Sequence, residues 1–179
     1  MQAVLHQSKH PVPIETLTHS CACCVDKCQQ ILGSISESIY ISENPVGSSS
    51  VGAHVRHIIE RFNCFLAGYP VGQIDYDLRK RDRVLELKMD SATAALFAIT
   101  NALSQLCEGD SKQLQVRESV DEHCPAVVVN STVERELMGL ISHTIHHLAI
   151  IVMLVKSQGM SISEDLGKAP STIIYERQS

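Results

Sequence analysis

The sequence predicts an all-α fold, a four-helix bundle with long connections, on three observations. Apolar residues recur at helical spacing in four segments of about 18 to 28 residues. The chain is 44% hydrophobic but only 4% aromatic, with no Trp, so its core is aliphatic, as suits helices packed on helices. Two long connections separate the later helices. With 179 residues, a single domain over residues 1–179 can bury a core without disulfides or metal to hold it.

Residues 1–13, with Pro11 and Pro13, read as a loose lead-in. Leu17, Cys21, Cys24, Cys28, Ile31, Leu32 and Ile35 then mark a first helix over 14–37. "SENPVGSSS" interrupts it, and its serines offer N-caps for a second helix. That helix carries Val51, Val55, Ile58, Ile59, Phe62, Phe65 and Leu66 on one face and stops near Gly68-Tyr69-Pro70. After the polar "GQIDYDLRKRDRVLELKMD", Asp90 or Ser91 caps a third helix containing Leu96, Ile99, Leu103 and Leu106. β-Branched residues over 113–129 point to a short β-hairpin. "STVE", Ser131 with Glu134, reads as a capping box opening a fourth helix that runs to Gly159. Residues 160–179 read as an extended C-terminal tail.

A net charge of −5, with no basic tail or stripe, lacks the footprint of a nucleic-acid binder. The amino terminus has no signal-peptide core, and no apolar run is read as reaching the roughly 18 residues of a membrane span. The expectation is a cytoplasmic protein with no nucleic-acid or membrane partner. Its seven cysteines are then reduced thiols rather than a disulfide framework.

The chemistry concentrates in histidines. "ISHTIHHLAIIVMLV" places His143 and His147 together at the edge of the apolar face of the fourth helix, with His146 farther round. An i, i+4 pair sets two imidazoles over one turn, where they can grip one ion, although the same spacing also serves packing histidines. "VGAHVRHIIERF" on the second helix offers a third ligand, His54 or His57. The helical wheel leans to His54, because His57 lies farther round beside Arg61. Three histidines leave open positions on Zn2+, Ni2+ or Fe2+, as a catalytic site requires.

"CACCVDKC" holds four cysteines, but Cys21, Cys24 and Cys28 fall at i, i+3, i+7 on the apolar face, where cysteine packs as a small hydrophobe. Cys23 points off that face and is the most reactive candidate. "DYDLRKRD" alternates acids and bases, a pattern that fits a self-paired surface loop. Its functional alternative is Arg79 or Arg81 clamping an anionic substrate. Nucleotide, serine-hydrolase and zincin motifs are missing from the sequence.

"SSVGAHVRHIIERF", "DYDLRKRD", "ERELMGLISHTIHHLAII" and "LGKAPSTI", in that order, resemble one branch of the DinB-like (DinB/YfiT-like) family of helical-bundle metalloenzymes, from about residue 48 to residue 174. The resemblance implies a four-helix bundle, commonly a homodimer, with a divalent metal on three histidines. It assigns His143 and His147 as the pair and His57, in "HIIE", as the second-helix ligand. His54 is kept as a neighbour or fourth ligand. The implied chemistry is transfer of a low-molecular-weight thiol, or hydrolysis. Glu60 is the nearest carboxylate in sequence, but on the wheel it points away from the core.

Two further readings stand beside the enzyme. One is a non-catalytic metal-binding or stress-associated bundle with a closed site. The other is an interaction module without metal. Ala149, Ile150 and Met153 make the last helix apolar almost all round from 148 to 155, which predicts a homodimer interface there.

Overall fold

The structure is a computed structural model that describes residues 14–43, 49–110 and 112–178. The lead-in expected over 1–13 lies outside the described residues, as do residues 44–48 of the first break. Within the described residues the chain is mostly helical, with one small sheet.

α1 (Ile14–Ser34) turns Cys21, Cys24, Cys28 and Ile31 inward. It ends short of the expected residue 37 because Ser36 takes an extended conformation and caps a separate short helix, α2 (Glu37–Ile41), by accepting from the Ile39 backbone N–H. α3 (Val51–Gly68) starts as expected, with Ser50 Oγ accepting from Ala53 N at 3.1 Å. Val55, Ile58, Ile59, Phe62 and Phe65 on α3 are fully buried.

The polar stretch after α3 is structured. It holds β1 (Gln73–Asp75) and α4 (Arg83–Leu87), which Asp82 caps. α5 (Met89–Leu103) follows directly, with Lys88 at its N-cap and no side-chain cap bond. Ser91 lies inside the helix, and so does Asp90, the other expected cap, because α4 leads almost straight into α5. In the first turn the charge of Asp90 complements the helix dipole.

The expected hairpin is present as β2 (Gln113–Glu118) antiparallel to β3 (Val127–Thr132). β1 pairs parallel with β2, placing Ile74 opposite Val116, so the sheet has three strands and is mixed. The all-α expectation is corrected accordingly. Ile74, Leu114 and Val116 are the buried positions that hold this sheet to the helices.

Thr132, not Ser131, caps α6 (Val133–Ser157), accepting from Arg135 N at 3.2 Å. Ser131 belongs to β3 and donates to Glu136 at 2.6 Å instead, so the Ser131–Glu134 box is not formed. α1 and α3 each pack against both α5 and α6. Among the described residues α6 alone is long and apolar enough, by length and composition, to cross a membrane, which corrects the expectation that no apolar run reaches that length. Leu137, Leu140, Leu148, Ile151 and Val155 on it are packed into the core.

The tail is not extended throughout. Glu164–Leu166 forms a 3-10 turn and Pro170–Gln178 forms α7. Gly167 approaches α6 so closely that an added Cβ would lie 2.8 Å from Ala149 Cα. The chain itself thus covers part of the extra apolar surface of α6, while Met153 stays 70% exposed.

Candidate metal centre

α3 and α6 pack against each other and bring four histidines to one edge of the core. The ring centroids of His57, His143 and His147 form a nearly equilateral triangle, with sides of 4.8, 4.7 and 4.5 Å. The rings meet edge to face, and one ligand nitrogen from each lies within 4.8 Å of the others. Donors of a tetrahedral zinc site sit about 3.3 Å apart, so movements of about 1 Å would close the three nitrogens on one ion.

His54 Nδ1 lies 3.0 Å from His147 Nδ1, so one donates and the other accepts. With His147 Nδ1–H donating, its Nε2 carries the lone pair, the tautomer a metal ligand needs. Nε2 of His143 is buried without a partner, a cost that a bound ion would remove. The residues present therefore fit a divalent ion. His54 supports His147 from behind. His146 is exposed, with its ring 5.2 Å from that of His147.

Burial holds all three rings neutral. It lowers His143 to about 3, with neighbouring His147 adding to the shift, and His147 to about 3, with His57 adding. His57 falls to about 4 through burial and then through the Arg79 guanidinium. Neutral rings carry no second proton for an ion to displace across the physiological range.

Arg79 Nη1 donates to His57 Nδ1. A neutral imidazole has one N–H and one lone pair, so this bond puts the proton on Nε2 and leaves His57 no lone pair for a metal. Arg79 has to leave His57 before an ion can take all three rings. Arg79→Gln should therefore bind zinc at least about tenfold more tightly, the equivalent of one charge-assisted hydrogen bond. Competition with a chromogenic chelator reads this out, and an unchanged or weaker affinity would show that Arg79 does not compete.

"DYDLRKRD" is not self-paired. Asp75 pairs with Arg117 on β2 at 2.9 Å, and Asp77 accepts from Ser119. Asp82 N donates to Glu60 Oε1 at 2.7 Å, pinning the segment to α3. Arg81 is exposed in a left-handed turn with φ 52° and is not placed against the histidines. Glu60 is only 4% exposed, against its outward position on the wheel, because this segment and α4 fold over it.

Sequence reasoning missed the polar cluster around Arg61. Arg61 stacks 3.8 Å over the Tyr76 ring and pairs with Glu118, and Tyr76 donates to Glu136 at 2.8 Å. Its members come from α3, β2, α6 and the residue after β1, so no local spacing marks them. Cys21, Cys24 and Cys28 are buried, as read. Burial pushes Cys24 up to about 11 and Cys28 to about 12, which makes both poor nucleophiles. Cys21 donates to Leu137 O at 3.6 Å, and Cys23 is exposed.

Compared with protein-family models, with curated proteins and with solved structures, the chain matches none.

Proposed function

We propose that the chain is a metal-dependent enzyme of the DinB-like type, its four long helices forming the bundle and His57, His143 and His147 holding a divalent zinc, nickel or iron ion. The triangle of neutral rings carries this reading. When bound, such an ion lowers the pKa of a thiol or water and supplies a nucleophile near neutral pH. The chain's own residues orient and bind. His54 holds the His147 ring in place, and Arg79, once off His57, is available to an anionic substrate.

A closed, non-catalytic site would need a fourth protein ligand. With His147 Nδ1–H donating, His54 accepts on Nδ1 and carries its proton on Nε2, which leaves it no lone pair for an ion and favours the open site. A homodimer would form over the exposed Met153 side of α6.

The test loads the protein with zinc, nickel or iron. It then measures transfer of cysteine to 1-chloro-2,4-dinitrobenzene and hydrolysis of 4-nitrophenyl acetate. Turnover that needs the metal and disappears in His147→Ala supports the enzyme. A bound metal without turnover in either assay would favour the metal-binding bundle.

A further inference from the structure

On the flank of α3 that carries Glu60 lies a cavity of about 620 Å3, walled by α3, β1 and the segments on either side of it, α4 and α5. That volume suits a small organic molecule. Much of its wall is apolar, including Ala67, Leu78 and Leu85.

Its charged groups are unevenly committed. Asp75 is neutralised by Arg117, and Asp82 Oδ1 caps α4 through Val84 N. Glu60 lines the cavity, 4% exposed, with Oε1 on Asp82 N and Oε2 buried without any partner. A buried carboxylate oxygen without a donor is costly and calls for one. Arg79 and Lys80 line the same cavity, and of Arg79's five N–H donors only one is engaged by His57.

A purely anionic ligand would meet Glu60, and a purely cationic one would meet Arg79 and Lys80. A molecule bearing both charges satisfies each. We propose that this cavity binds a small zwitterion of the amino-acid type, its ammonium on Glu60, its carboxylate on Arg79 and Lys80, and its apolar body against Leu78 and Leu85. The proposal does not rest on the metal reading, so its test uses metal-free protein.

L-Leucine, L-methionine and L-phenylalanine are titrated in turn by calorimetry into metal-free wild type, Glu60→Gln and Arg79→Gln. 4-Methylpentanoate and 3-methylbutylamine serve as analogues of leucine with one charge each. Glu60→Gln keeps the acceptor for Asp82 N, and Arg79 lies in a loop, so both variants should fold; circular dichroism checks this.

The expected result is that at least one amino acid binds in the millimolar range or tighter, about tenfold or more weakly in either variant. If that amino acid is leucine, both single-charge analogues bind similarly more weakly. No binding of any of the three at about 50 mM would overturn the proposal. So would affinity unchanged in both variants, or analogues equal to leucine.

Discussion

Replacing His143 by alanine lowers zinc affinity by at least about a hundredfold, because it removes a ligand outright rather than a group that supports one. His143 contributes a buried nitrogen that has no partner, and its ring stands 4.5 Å from His147 and 4.8 Å from His57. His54→Ala, which removes only the bond to His147 Nδ1, should cost about tenfold. Chelator competition, with metal content by mass spectrometry after dialysis, separates the two effects. A full equivalent retained by His143→Ala would place the ion elsewhere.

The pH course follows from the same rings. An ordinary histidine begins to exchange metal for protons near pH 6.5. With His57 lowered to about 4 and His143 and His147 to about 3, the site should hold zinc with little loss down to about pH 5 and release it steeply below pH 4. Zinc release centred near pH 6 would show that the rings titrate normally.

The second large effect is one of packing. Gly52 lies where α3 meets α4, and a Cβ there would fall 2.1 Å from the Glu86 backbone oxygen and 2.9 Å from the Tyr40 ring. α3 cannot yield, since Val51 and Val55 on either side are fully buried. α4 must shift instead, straining the Arg56–Glu86 pair at 2.5 Å and the Tyr40 hydroxyl bond to Leu85 O. Gly52→Ala should destabilise the fold by about 2–4 kcal/mol, or roughly 5–12 °C in Tm at this chain length. Gly33→Ala on α1, where a Cβ meets nothing within 4 Å, should instead stabilise by about 0.5–1 kcal/mol. Parallel urea titrations decide, and similar stabilities for the two variants would contradict the close approach.

The helices were legible because burial obeys the helical period: Leu96, Ile99 and Leu103 on α5 and Leu137, Leu140 and Leu148 on α6 are buried as their spacing demands. The His143 and His147 pair was legible for the same reason. The choice between His54 and His57 was not, because a site at the rim of a core favours neither the centre of the apolar stripe nor its opposite. The structure uses both, His57 in the triangle and His54 behind His147. Glu60 was misread because its cover comes from Asp82 and its neighbours, which a wheel drawn on α3 alone does not contain. β1 escaped notice because three residues carry no usable alternation, and its partner β2 lies across residues 76–112.

That parallel pairing also fixes an order of assembly. A parallel neighbour can be reached only through a crossover, here the chain holding α4 and α5, and closing a long loop is entropically slow. The three residues of β1 lie against the neighbouring α3 but gain their β2 partner only when that crossover closes. Refolding should thus settle β1 and the adjoining Arg79 segment on α3 first, with the pairing of β1 to β2 arriving last. Arg79 thus reaches His57 before α6 brings its own histidines across, so metal present during refolding meets the same guanidinium as metal added afterwards.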